Sequence, residues 1–268
     1  MTDWQRTHDW GALTRAELAE ARDAGALPVL TVGSCEQHGD HLPVDTDSHT
    51  AYEVARRAAE RCANPHVLVL PPTGFGFSPH HREWPGTITL SLTTFVGLVT
   101  DVAESLHRTG WDRILIVNGH GGNQGPLASA CTDLASRGLR VAAVTYFTPG
   151  QDSWLPELPG QKRGVGHACA YETALQMALR PGDAGRIRER VAALPARLVP
   201  SYLESDENPF AGSSIAYAAL FPAGHPGYYG DPAAATPEAG AAMLEDTVAA
   251  LARFYAVFAS ARLRAGAP

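Results

Sequence analysis

The chain has 268 residues, 45% of them apolar, with 28 acidic and 21 basic side chains and a formal net charge of −7. That length suits one large α/β domain with a sizeable buried core. The acidic balance lacks the basic footprint of a general nucleic-acid binder, and no apolar run approaches the roughly 20 residues of a membrane helix.

In chain order, a short helix is expected after Thr14. Thr14 and Glu17 have the spacing of a capping box, and Leu13 and Leu18 that of a hydrophobic staple. Gly25 and Pro28 end that helix, and Val29-Leu30-Thr31-Val32 reads as a buried strand. The strand empties into residues 33–49, a span that holds Glu36, His38, Asp40, His41, Asp45, Asp47 and His49. Carboxylate plus imidazole suits zinc, iron or manganese, and three or four such groups converging would make a site. The competing reading is a polar loop whose Asp and His residues only face water.

Residues 48–62 have helical periodicity, and 67–70 read as a second buried strand. A long Gly- and Pro-rich loop over 73–91 carries His80, His81 and Trp84, of which the histidines could reach a site. A helix over 93–109 leads to a third strand, Ile114-Leu115-Ile116-Val117. That strand runs into Asn118-Gly119-His120-Gly121-Gly122-Asn123, so His120 stands where a parallel strand's C-terminal end opens into a site. A phosphate-cradling loop would need a Walker lysine or GxGxxG spacing, and neither is present.

A helix over 125–137 and a strand over 141–146 follow. Residues 148–163 read as a loop carrying Trp154, and Gly166–Thr173 opens a helix through Leu179. His167 and Glu172 are five apart and converge only if His167 precedes the first turn. The segment 195–235 is loop-rich, and Thr236-Pro237-Glu238 starts a last amphipathic helix to about 260. Strand–helix alternation predicts an α/β three-layer sandwich with a mainly parallel central sheet, formed as one domain over 1–268. Cys35, Cys62, Cys131 and Cys169 form no CxxC pair, and the N-terminus has no basic-then-apolar leader. A cytoplasmic protein with reduced thiols is expected.

Four separated stretches, taken together, resemble the creatininase (creatinine amidohydrolase) family. They are Gly33-Ser34-Cys35-Glu36-Gln37-His38-Gly39 with His41-Leu42-Pro43 and Asp45-Thr46-Asp47, Phe77-Ser78-Pro79 with Pro85-Gly86-Thr87, Asn118 through Asn123, and Gly166-His167 through Glu172-Thr173. The tail Gly230-Asp231-Pro232 with Ala235-Thr236-Pro237-Glu238 is similar as well. The resemblance implies a hydrolase of amide-type C–N bonds with two divalent metal ions (zinc, manganese or iron), a small-molecule amide substrate and a homohexamer. By position, Glu36 and His120 would bind one metal, His38 the other, and Asp47 would bridge both. His167 would carry a proton beside the substrate.

One position departs from the pattern. Creatininase has a carboxylate two residues after the third-motif histidine, where this chain has Gly122. Glu172 is the candidate replacement ligand, and it is also a candidate proton donor. The aromatic that follows that histidine in creatininase is Gly121 here, which argues against creatinine as substrate. His81 and Trp84 are expected to help shape the pocket, with Trp154 as a further candidate, and ordinary core packing is the competing reading for both tryptophans. Two alternatives stand beside the amidohydrolase. One is a peptidase of the same family that trims a cofactor-precursor peptide. The other is a non-catalytic metal-binding subunit of an assembly.

Overall fold

A computed structural model describes residues 3–158, 166–195 and 225–262. The apolar runs of the sequence form four strands: β1 (Leu27–Val32), β2 (Val67–Val69), β3 (Arg113–Asn118) and β4 (Arg140–Thr145). All pair in parallel, in the order β2-β1-β3-β4. The helices are α1 (Arg15–Asp23), α2 (Thr46–Arg61), α3 (Leu92–Arg108), α4 (Gln124–Ser136), α5 (Gln151–Trp154), α6 (Ala170–Leu179), α7 (Ala184–Ala192) and α8 (Pro237–Ser260).

Strand side chains alternate between two cores, because successive residues of a strand point to opposite faces. Val29, Val69, Leu115 and Val117 meet α2, α6 and α8 through residues such as Val54, Ala174 and Leu251. Leu30, Val32, Leu68 and Ile116 meet α1, α3 and α4 through Ala21, Phe95, Val99 and Leu134. The three-layer sandwich expected from the sequence is therefore the observed one. The capping box is present too: Thr14 Oγ1 accepts from Glu17 N–H at 3.4 Å, and Glu17 Oε2 accepts from Thr14 N–H at 2.8 Å.

The strand order places a topological switch between β1 and β3. From β1 the chain crosses to β2 on one side, then returns past β1 to β3 on the other. A crevice opens outside the carboxyl ends of the strands at such a point. Residues 33–49 and 118–123 leave the sheet there.

Two sequence expectations need correction. Residues 151–157 are not loop but α5 followed by a 3-10 turn, Leu155–Glu157, while 159–163 lie outside the described residues. Trp154 is 0% exposed, with its Nε1–H donating to Phe147 O at 3.0 Å and its ring 4.3 Å from that of Tyr171. An indole with its N–H satisfied and its rings in the apolar core is a packing residue, not a pocket wall. Helix α7 was not anticipated, since only Ile187 and Val191 of its residues are buried. Most of the loop-rich 195–235 segment, residues 196–224, lies outside the described residues. Among the described residues, no helix is long and apolar enough to cross a membrane.

Candidate metal centre

Close backbone packing brings the site together. Gly119 N–H donates to Val32 O at 2.8 Å, which ties the ends of β3 and β1. The first turn of α2 enters against this junction. A Cβ on Gly119 would lie 2.4 Å from Asp47 O, and one on Gly33 would lie 2.5 Å from Ser48 Cα. Only glycine lets α2 approach this closely, and the approach puts Asp47 beside Glu36 and His120. Gly119→Ala is expected to overpack the junction, costing about 2 kcal/mol in a urea unfolding measurement and weakening metal binding about ten-fold. Unchanged metal affinity would show that this contact does not set Asp47.

Glu36, His38, Asp47 and His120 are all 5% exposed or less. His120 Nδ1 lies 2.9 Å from Asp47 Oδ2 and 3.3 Å from Glu36 Oε2. His38 Nε2 lies 3.1 Å from Asp47 Oδ1. Each imidazole has its other nitrogen on a backbone carbonyl: His120 Nε2 is 3.2 Å from Phe77 O, and His38 Nδ1 is 3.1 Å from Glu36 O. A carbonyl only accepts, so those nitrogens carry the protons of the neutral rings. The remaining nitrogens then point bare lone pairs at carboxylate oxygens, and two acceptors at such a distance require a cation between them. Among the described residues, Glu36 Oε2 and Asp47 Oδ2 are buried without a hydrogen-bond partner, as metal-facing oxygens would be. The residues therefore fit a divalent ion, with backbone carbonyls setting each ligand's tautomer.

Without a metal the cation is a proton. Burial opposes charge on His38, but the adjacent Asp47 carboxylate outweighs it and pushes the pKa up to about 10. Burial likewise opposes charge on His120, and Glu36 and Asp47 raise it well above the usual imidazole range. Burial works against ionised Glu36, yet His120 beside it, with His81 and His167, holds the carboxyl well below the usual range.

Glu36 Oε1 faces a second pair of imidazoles, His81 Nε2 and His167 Nδ1, each 3.5 Å away. Gln37, which sequence reasoning passed over, orders this pair. Its Oε1 accepts from Gly39 N–H at 2.8 Å, so its amide nitrogen faces His81 Nδ1 at 3.1 Å. His81 therefore accepts at Nδ1 and turns its N–H toward Glu36. The same amide nitrogen is 3.0 Å from His167 Nε2, which also lies 2.7 Å from Gln37 O. His80 stacks on His120 with ring centroids 5.5 Å apart. Among the described residues, three triplets have ligand atoms within 4.8 Å of one another: Glu36, His38 and Asp47; Glu36, His80 and His120; and Glu36, His81 and His167.

Glu172 is not in these triplets. Its Oε2 accepts from Ala168 N–H at the start of α6, and its carboxyl feels the charges of His38, Asp47 and Glu36. Burial, with help from Asp47 and Glu36, pushes its pKa up to about 7. His167 precedes the first turn of α6, so it reaches the same centre, with its ring 4.4 Å from that of His38. A side chain at Gly122 would meet His120 Nε2 at 2.4 Å and Phe77 O at 2.6 Å, so the carboxylate missing there has no room in this arrangement. Gly121 is exposed, with nothing within 4 Å of a built Cβ. Trp84 is half-buried on the 73–91 loop, while His81 is 1% exposed and reaches Glu36 from beneath. Of the remaining residues in 33–49, Asp40 faces solvent and Asp45 pairs with Arg180 at 2.8 Å. His49 lies 3.4 Å from Arg180 Nε, and His41 is buried.

Asn123 is a second residue missed from sequence, where the glycines around it drew the reading. Its Nδ2–H donates to Gly33 O at 3.0 Å and to Asn118 Oδ1 at 3.2 Å, and its Oδ1 accepts from Phe77 N–H at 2.9 Å. It thus ties three loops at the carbonyl that fixes His120.

A model of the creatinine amidohydrolase family, creatininase, matches residues 11–255. The chain belongs to the creatininase family. A mycofactocin precursor peptide peptidase of Mycobacterium tuberculosis is 31% identical over 91% of this chain and 92% of its own. The Mycolicibacterium smegmatis protein of the same description is 34% identical over 59% of each chain. A creatinine amidohydrolase of Pseudomonas putida is 31% identical over 72% of this chain and 78% of its own. A crystal structure of creatininase superposes with TM-score 0.73 at 25% identity, covering 93% of this chain and 96% of that one. A zinc–zinc mutant form and a manganese form of creatininase also reach 0.73. The hydrolase and the fold expected from the motifs are borne out at the family level.

Proposed function

We propose that the protein is a metal-dependent amidohydrolase cleaving an amide-type C–N bond of a small polar substrate by an activated water. The observation that carries this is the placement of His38 Nε2 and His120 Nδ1 against the two oxygens of Asp47. A divalent ion held there supplies a Lewis acid and an acidified water near neutral pH. In this reading Asp47 with Glu36 and His120 would hold one zinc, manganese or iron ion, and Asp47 with His38 and Glu172 would hold a second. On its far side, Glu36 Oε1 faces His81 Nε2 at 3.5 Å. His167 and Glu172 handle protons, and one of them delivers a proton to the leaving nitrogen. Trp84 and Gly121 border the substrate. One domain spanning the chain, a homohexamer and a cytoplasmic location belong to the same reading.

The test is metal analysis after purification without chelator, followed by hydrolysis of an amide panel with and without EDTA. About two ions per chain and chelator-sensitive turnover are expected. A folded, metal-free protein with His38 and Asp47 intact would overturn the proposal. A metal-loaded protein inert to the whole panel would favour the non-catalytic subunit.

A second reading has its own support. The mycobacterial relatives are named as precursor peptide peptidases, and the open space at Gly121 suits a longer substrate. Faster cleavage of short C-terminal peptides than of small amides would select it.

Metal uptake at pH 7 is expected to release protons, because Asp47 keeps His38 protonated up to about 10 in the metal-free protein. Affinity should climb as pH rises toward that value, since protons compete less. Calorimetry in two buffers of different ionisation enthalpy reads the protons released, and none would mean that the imidazoles are not ligands.

A further inference from the structure

The turn that presents His167 and Glu172 is held in an unfavourable backbone conformation. Ala168, between them, has φ +52°, the only positive φ among the described non-glycine residues. An L-residue resists this region, whereas glycine enters it freely, so the surroundings must impose it. Two of the contacts at Ala168 come from its own helix and from His41. Its N–H donates to Glu172 Oε2, and its carbonyl lies 3.2 Å from His41 Nε2. His41 is 0% exposed and also reaches Thr173 Oγ1 at 3.1 Å. Among the described residues its Nδ1 is buried with no hydrogen-bond partner, so the ring's one proton sits on Nε2, where the carbonyl requires it. The other side of the turn is closed by Tyr229 N–H donating to His167 O at 2.8 Å, and Tyr228 sets its ring edge-on to His41 at 5.8 Å.

We propose that His41 is a positioning residue of the hydrolysis: its Nε2–H clamps the Ala168 carbonyl in the left-handed turn that aims His167 and Glu172 at the metal centre. This rests on the amidohydrolase reading for its effect on rate, though the clamp itself exists in the metal-free protein. His41 Nε2 faces Ala168 O and Thr173 Oγ1 rather than the carboxylates of the centre. It acts through the backbone of its neighbour across 127 positions of sequence.

Glutamine places an amide N–H where the imidazole Nε2–H lies, whereas asparagine falls short of Ala168. His41→Gln should keep kcat within about five-fold, and His41→Asn should lower it about 100-fold with KM changed less than about three-fold. Adding Ala168→Gly to His41→Asn should recover about ten-fold, because glycine holds the turn without a clamp. A purely structural histidine would show neither the Gln–Asn split nor the glycine rescue. Cys169 gives a readout free of activity, since it follows Ala168 and is 0% exposed. In metal-free protein, its alkylation followed by site-resolved mass spectrometry should run about ten-fold faster in His41→Asn and unchanged in His41→Gln. Equal labelling and equal kcat in the two variants, or no rescue by Ala168→Gly, would overturn the proposal. If His41→Asn does not fold, a 100-fold loss in a well-folded His41→Gln would overturn it equally. The expected labelling pattern in a protein that hydrolyses no amide would refute the role in hydrolysis and the amidohydrolase reading together, while the clamp remains.

Discussion

Asp47→Asn is expected to abolish hydrolysis, lowering kcat/KM by about 10³-fold or more and removing tight metal binding. The size follows from geometry. Asp47 offers one oxygen to His38 at 3.1 Å and the other to His120 at 2.9 Å, so a single neutral amide disables both halves of the centre. The metal-free protein gives an independent readout. His38 is raised from 6.5 to about 10 by Asp47 against the cost of burial. A raised pKa stabilises the fold fully below the unfolded value, and that stabilisation is lost as pH rises from about 6.5 through about 10. Metal-free wild type should therefore lose unfolding free energy over that window, and Asp47→Asn should lose much less. A variant that keeps wild-type metal content and turnover would remove Asp47 from the centre.

Glu172→Gln is expected to lower kcat about 10²- to 10⁴-fold, the usual range for a positioned acid or base. Burial places this carboxyl at about 7, where it can both give and take a proton near neutral pH. If it protonates the leaving nitrogen, wild-type kcat falls as pH rises past its pKa, and that limb disappears in the glutamine variant. A bound dication would draw the limb to lower pH than the metal-free value. Metal titration separates the two roles assigned to Glu172. Weaker binding of one ion by about ten-fold or more assigns ligation, and unchanged affinity with a lost limb assigns proton transfer. Neither effect would exclude both. In metal-free protein, ionised Glu172 is penalised by its burial, so Glu172→Gln should raise the unfolding midpoint above pH 7 and change little near pH 4.

Part of this centre was legible in the sequence because ligand chemistry is local. Glu36, His38 and Asp47 lie within twelve positions after a buried strand, and His120 follows another. Buried strands announce themselves by unbroken apolar runs, and parallel sheets put their sites at the strand ends. Trp154 misled because a tryptophan in a presumed loop suggests a wall, and nothing in its neighbourhood foretells that Tyr171 would cover it. Helix α7 escaped because two buried positions make too faint a period. Gln37 and Asn123 escaped because an amide's role lies in which atoms it faces, and those atoms come from loops far away in the chain.

By itself the sequence determined the layer order, the alternation of strand and helix and the ligand inventory, since these depend on periodicity and residue type. The tertiary structure alone decided which nitrogen of each imidazole is free, that Asp47 faces both His38 and His120, and that Gly122 has no room for a carboxylate. It alone revealed the left-handed Ala168 held by His41. Those features are distances between groups remote in the chain, set by how β1, β3, α2 and α6 pack, and no local pattern encodes them.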